Sequence, residues 1–146
     1  MIADDRIVAS LENKPIETVR RFNELWAGGD IDGAMQLIAE DAVYTLFIDE
    51  GLLPVSGRTV GRVNIESGLR IVRQQFEYLL YRPLDLIPDG NEVRHQVEFM
   101  YRHRASGEVL SGRFRMIMRI EGNLIVRADE YHDRGRVEAF LRLFAN

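Results

Sequence analysis

Residues 113–133 limit the fold of this chain more than any other stretch: two alternating apolar runs are joined by Glu121-Gly122-Asn123. Runs of this kind around a short glycine-containing turn predict a β-hairpin. A three-residue loop sets Ile120 opposite Leu124, Met118 opposite Val126, Met116 opposite Ala128 and Phe114 opposite Glu130. Successive side chains alternate between the two faces of a strand. Phe114, Met116, Met118, Ile120, Leu124, Val126 and Ala128 therefore share one apolar face. Glu130 and His132 continue that face at its far end, where the alternation calls for apolar residues. A carboxylate and an imidazole in an apolar series are the most informative irregularity in the chain.

The run at 92–104 alternates as well, with Val93, His95, Val97, Phe99, Tyr101 and His103 on one side. A two-residue Ser106-Gly107 loop sets Val97 opposite Met116, Phe99 opposite Phe114 and Tyr101 opposite Gly112. The apolar faces then coincide, as a sheet with one buried side requires, and the three runs form a meander. In this register His95 shares a row with Met118 and Val126, and Glu130 shares one with Phe99 and Phe114.

Elsewhere the pattern is mainly helical. Residues 1–14 read as a short helix or an extended arm that ends before Pro15, and 15–145 as the core of a single domain spanning 1–146. Pro15 suits the first turn of a helix carrying Ile16, Val19, Phe22, Leu25 and Trp26 at helical spacing, closed by Gly28-Gly29. Asp30 is a predicted N-cap for a second helix through Ile38. Residues 42–48 read as a strand, 49–58 as a loop, and 61–81 as a long amphipathic helix stopped by Arg82-Pro83. A short strand at 84–87 and a turn at 88–91 lead into the meander. A closing helix carries Val137, Phe140, Leu141 and Phe144. Without βαβ alternation the order predicts an α+β fold with an antiparallel sheet.

Composition narrows the function classes. A chain of 146 residues is long enough to bury about 68–70% of its unfolded surface. A net charge of −4, without a basic block, offers no footprint for nucleic acid. The absence of cysteine excludes disulfides and thiolate chemistry and suits a reducing cytoplasm, the expected location. No apolar run approaches ~18 residues, so no membrane-spanning helix is expected, and the N-terminus lacks the pattern of a signal peptide. The histidines show no helical metal-ligand spacing, so no metal is expected.

Three stretches carry a family resemblance. They are Phe22-Asn-Glu-Leu-Trp-Ala-Gly-Gly-Asp-Ile-Asp-Gly-Ala-Met-Gln-Leu-Ile-Ala-Glu-Asp-Ala-Val-Tyr44, Gly57-Arg-Thr-Val-Gly61 and 121–133. Together they resemble the SnoaL-like and ketosteroid-isomerase-like branch of the nuclear transport factor 2-like superfamily. The resemblance implies a cone: a curved antiparallel β-sheet wrapped around N-terminal and central helices (the cystatin-like or SnoaL-like fold), enclosing an apolar cavity. It implies no cofactor, and it implies homodimers through the outer sheet face. Members of the group include isomerases, cyclases, dehydratases, epoxide hydrolases and non-catalytic binders, so the fold alone names no activity. Carried over by position, the tyrosine of the ketosteroid isomerases falls at Phe22, their base aspartate at Leu46 and their proton-donating aspartate near Arg115 or Met116. That machinery is absent. The last-strand aspartate of limonene epoxide hydrolases matches Glu130, but its partners fall among His95, Val97 and Phe99. The acid/base aspartate of the SnoaL-type cyclases has a chemical substitute in Glu130.

Glu130 and His132 are therefore the catalytic candidates, a carboxylate and an imidazole side by side against an apolar wall. An ion pair at the strand's end is the plainer alternative. The expected cavity lining is Phe22, Trp26, Tyr44, Leu46, His95, Val97, Phe99, Tyr101, Phe114, Met116, Met118 and Ala128. Asp49-Glu50 is placed at its mouth. The reading is a cofactor-independent acid/base enzyme on an apolar cyclic small molecule, of polyketide or terpenoid kind. The alternative is a non-catalytic ligand binder or dimeric interaction module. A cavity below ~300 Å³ weighs against either small-molecule reading.

Overall fold

Ile16, Val19, Phe22 and Trp26 lie buried along one side of the first helix, α1 (Asp5–Ala27). The computed structural model describes the backbone of residues 5–144 and the side chains of 15–144. The first four residues of the expected arm and residue 145 of the expected core lie outside the described residues. The boundary expected before Pro15 is absent, because α1 runs through it. Proline there leaves one i→i−4 hydrogen bond unmade but does not end the helix.

Asp30 caps α2 (Ile31–Met35), its side chain accepting from the Gly33 N–H at 2.9 Å. α2 is only one turn long, and β1 (Ile38–Leu46) starts four residues before the expected strand. β2 (Gly57–Val60), expected to be loop at its start, pairs antiparallel with β1. α3 (Arg62–Gln75), β3 (Phe76–Asp89), β4 (Glu92–His103), β5 (Val109–Glu121), β6 (Leu124–Tyr131) and α4 (Arg134–Arg142) follow. The fold is α+β, with one six-stranded sheet in the order β2-β1-β6-β5-β4-β3 among the described residues. β4 to β6 form the expected antiparallel meander, and β3 extends it by pairing antiparallel with β4. β1, however, pairs parallel with β6, so the sheet is mixed. The long excursion between these strands, through β2, α3 and the meander, supplies the crossover that a parallel pair needs.

Both hairpin registers differ from expectation. The turn of the last hairpin has two residues, Gly122 and Asn123, both at positive φ (56° and 66°), the conformation of the tight turns that match strand twist. Glu121 thus faces Leu124 and Ile120 faces Ile125. A bulge then inserts Val126, so that Arg119 faces Arg127, Met118 faces Ala128 and Met116 faces Glu130. The bulge turns Ile125 inward (1% exposed) and Leu124 outward (36%), opposite to the strict alternation. Between β4 and β5 the turn holds four residues, so Val97 faces Phe114, Phe99 faces Gly112 and Tyr101 faces Leu110. This is a slip of two residues, and it preserves every face. The consequence is a new row: His95, Met116 and Glu130 lie side by side across three strands.

The expected helix to residue 81 stops at Gln75. Phe76-Glu-Tyr-Leu-Leu-Tyr81 begins β3 instead. A register shift between Tyr78 and Leu80 stretches the inward spacing from two residues to three, and that imitates helical periodicity. Pro83 is tolerated within β3 because it is the edge strand.

The inner face of the sheet packs on α1, α3 and α4 in one core. Val55, from the loop after β1, sits in a notch at Gly68 of α3. A Cβ on Gly68 would lie 2.3 Å from Val55 Cγ1. Helix propensity favours alanine over glycine by about 1 kcal/mol, but forcing a methyl into a filled site costs about 1–3 kcal/mol. Gly68→Ala is expected to lower stability in urea denaturation despite its better propensity. A stabilised variant would show that the loop yields freely.

Candidate active site

β6 delivers Glu130 to the inner face, His132 follows one residue past the end of that strand, and the neighbouring β1 delivers Tyr44. The Tyr44 hydroxyl donates to Glu130 Oε1 at 2.6 Å, and His132 Nε2 lies 2.5 Å from Glu130 Oε2. The His132 and Glu130 side chains are 7% and 13% exposed. Phe99 meets the imidazole edge to face at 5.5 Å, and Phe114 packs on it at 4.7 Å. These walls fix the ring plane and aim Nε2 at the carboxylate. With Nε2–H donating, Nδ1 is left a bare, buried acceptor without a partner. Leu46, where the resemblance puts the base of the ketosteroid isomerases, is the strand partner of Glu130. The carboxylate thus stands one strand away from that position.

Four of the five tyrosines, Tyr44, Tyr78, Tyr81 and Tyr101, line the same cavity. Burial is the main cause pushing all four phenols above their ordinary range, and the Glu130 charge adds to it at each. They remain protonated donors around neutral pH. Tyr78 packs on Tyr101 with ring centres 4.3 Å apart and meets the Trp26 ring edge to face at 5.8 Å. The Arg73 guanidinium stacks 4.1 Å from the Tyr78 ring centre and 4.8 Å from that of Trp26, and its Nη1 donates to the Trp26 carbonyl at 2.7 Å.

Of the expected lining, Phe22, Trp26, Tyr44, Leu46, Phe99, Tyr101, Met116, Met118 and Ala128 border the cavity, as do Glu130 and His132. Val97, Phe114 and His95 are buried in the core but do not line it. Reading 76–81 as helix hid Tyr78 and Tyr81, although three aromatics in six residues signal a strand. Leu53 and Val55 of the loop, Leu69 and Val72 of α3, and Val137 and Leu141 of α4 are also part of the walls. No local pattern assigns these to a cavity, because contacts between distant elements place them there. The cavity measures about 90 Å³, below the ~300 Å³ of ordinary ligand sites, and this weighs against a bulky ligand. Asp49 ties the loop to α4. Its backbone N–H donates to Glu138 Oε2 at 2.6 Å, and its carboxylate accepts from Arg134 (2.9 Å) and Arg142 (2.5 Å).

His95 is covered by α1, with Nε2 3.3 Å from Asn23 Nδ2. Burial lowers its pKa to about 4, while Glu130 pulls weakly the other way. The unfolded chain takes up a proton near 6.5 and the folded one only near 4. The stability this provides is complete above pH 6.5 and is lost as pH falls toward 4, by about 3 kcal/mol over the window. Urea unfolding from pH 7 to 5 is expected to show this slope, and His95→Gln to flatten it. An unchanged slope in the variant would remove His95 as its source.

Among the described residues no group of three or more histidine or acidic side chains could hold a metal ion, and no helix is long and apolar enough to cross a membrane. Among solved structures the chain is similar to an NTF2-like protein of unknown function from Burkholderia pseudomallei. That match has 19% identity, a TM-score of 0.76, and coverage of 91% of this chain and 98% of the other. It is similar to a candidate polyketide cyclase from Xanthomonas campestris, at 16% identity, TM-score 0.75 and coverage of 90% and 96%. TerC, crystallised with polyporic acid, aligns at 18% identity, TM-score 0.72 and coverage of 91% and 99%. At such identities these likenesses show the fold alone. No curated protein matches the chain in sequence. The family model of the SnoaL-like domain matches residues 19–128, three quarters of the chain and all of β1 through most of β6, and on that match the protein belongs to the SnoaL-like family.

Proposed function

We propose that the protein is a cofactor-independent acid/base enzyme acting on a small, oxygenated cyclic compound. The observation that carries this reading is the Tyr44–Glu130–His132 chain of hydrogen bonds closing one end of an otherwise apolar, aromatic-walled cavity. Glu130 is the proton acceptor. Tyr44 and His132 hold its two oxygens in place. A fixed base of this kind contributes typically 10²–10⁴-fold to proton transfer. One fold neighbour is a candidate polyketide cyclase and another was crystallised with polyporic acid, which agrees with a ring-shaped, oxygen-bearing ligand. Proton transfer at a carbon next to a carbonyl is the reaction class these groups suit, since it needs a base, a donor and exclusion of water.

The test is deuterium incorporation at the α-carbon of small ketones in D2O, from cyclopentanone to acetophenone, followed by NMR. Exchange by the wild-type protein that is lost in Glu130→Gln supports the reading; absence of exchange with every ketone overturns it. The 90 Å³ volume, small for any ligand binder, favours a second reading, a non-catalytic interaction module. Thermal stabilisation by these ketones without exchange would point to a non-catalytic binder. No response at all would point to the module, with two copies joined through the outer sheet face, detectable by sedimentation.

A further inference from the structure

Glu130 is a carboxylate without a cationic side chain to balance it. Its own side chain is 13% exposed, and it is met by the Tyr44 hydroxyl at 2.6 Å and by His132 Nε2 at 2.5 Å. Among the described residues no arginine lies within ion-pair distance of it. His132 would balance the charge only as an imidazolium, and Nδ1 would then be a second N–H donor. That atom is sealed and has no acceptor. A charged donor left unmet costs more than an unmet lone pair, so the geometry favours the neutral ring. Carboxylates are almost never buried unless paired, because a charge held away from water is costly until an opposite charge compensates it.

The walls agree with this. Phe22, Trp26, Tyr44, Tyr78, Phe99 and Tyr101 border the same cavity. Ring faces attract a cation within about 6 Å of the centroid, most strongly where water is excluded. Two of these rings already hold one: the Arg73 guanidinium lies 4.8 Å from the Trp26 centre and 4.1 Å from the Tyr78 centre, without itself lining the cavity. We propose that the cavity binds a small alkylated ammonium ion, its charge set against Glu130 and its alkyl groups packed on the aromatic and aliphatic walls. This goes beyond the acid/base reading, since it needs Glu130 to be charged and not to take a proton from carbon. An anion would be repelled by the carboxylate and by the ring faces alike. A neutral molecule gains burial but leaves the carboxylate unbalanced. A bare ammonium would give up its hydration for walls poor in acceptors, whereas alkyl groups lose little on entering. The volume of about 90 Å³ keeps the ion compact.

The experiment titrates three compounds of similar shape and different charge, tetramethylammonium, tert-butanol and pivalate, into wild type and Glu130→Gln. Binding is followed by calorimetry and by proton NMR of the ligand methyl groups. Wild type is expected to bind tetramethylammonium about tenfold more tightly than tert-butanol and pivalate least of all. The N-methyl protons are expected to move upfield under the surrounding rings. Glu130→Gln is expected to lose the preference for the cation while binding tert-butanol as wild type does. The comparison of the three compounds in wild type needs no variant and stands by itself. No preference for the cation in wild type overturns the proposal. So does cation binding that Glu130→Gln leaves unchanged, which would place the ion on a surface acid. Cation binding without ketone exchange keeps the ammonium site and removes the acid/base reading; ketone exchange without cation binding removes the site and keeps that reading.

Discussion

Glu130→Gln is expected to lower the α-proton exchange rate about 10²- to 10⁴-fold, roughly 3–5 kcal/mol of barrier, with thermal stability unchanged or slightly raised. Glutamine preserves the shape of the side chain. Its amide oxygen still accepts from Tyr44 or from His132, and its nitrogen donates to the other, so neither contact need be left open. What disappears is a charge that is only 13% exposed, and holding a charge away from water costs several kcal/mol before its partners compensate. A functional carboxylate in an apolar wall is thus a place where activity and stability oppose each other. The check pairs exchange rates by NMR with urea unfolding of the same samples. Activity and stability lost together would mean that Glu130 is a structural strut.

Phe99→Ala is expected to be among the most damaging apolar substitutions, at about 3–5 kcal/mol. Phe99 is 2% exposed and its ring meets Tyr101 at 4.6 Å, Phe114 at 5.7 Å and His132 at 5.5 Å. It also fills the space above Gly112, where an added Cβ would come within 3.5 Å of its ring. Truncation opens a void beside the existing cavity and removes one of the two walls that orient His132. Urea unfolding with an unchanged m-value measures the loss. Leu124→Ala is the informative comparison. Strict alternation places Leu124 inside, whereas the bulge at Val126 leaves it 36% exposed, so its truncation is expected to cost less than ~1 kcal/mol. Equal costs at both positions would show that the bulge is absent.

The two misread hairpins show what kind of information a sequence holds. Alternation fixes which face each residue of a strand occupies, and it did so correctly for Phe99, Met116, Met118, Ala128 and Glu130. It does not fix the neighbour across the ladder. That depends on turn length, and a two-residue slip between β4 and β5 changed the partner of Val97 from Met116 to Phe114 without moving either to the other face. Bulges are the exception, since a single inserted residue exchanges the faces locally. One did so at Leu124 and Ile125. Another, after Tyr78, let a strand pass for a helix and hid two cavity tyrosines.

The chain by itself determined the α+β class, the meander, the family resemblance and the presence of Glu130 and His132 on the inner face, because each is written in short-range periodicity or in local motifs. Only the tertiary structure decided that β1 lies parallel to β6, which brings Tyr44 to Glu130 across 86 positions of sequence. It also decided that His95 is sealed behind α1 instead of lining the cavity, and that the space is about 90 Å³. These are outcomes of how distant elements pack. No local spacing encodes them, because the contacts that fix them join residues whose separation in the chain is set by the whole topology.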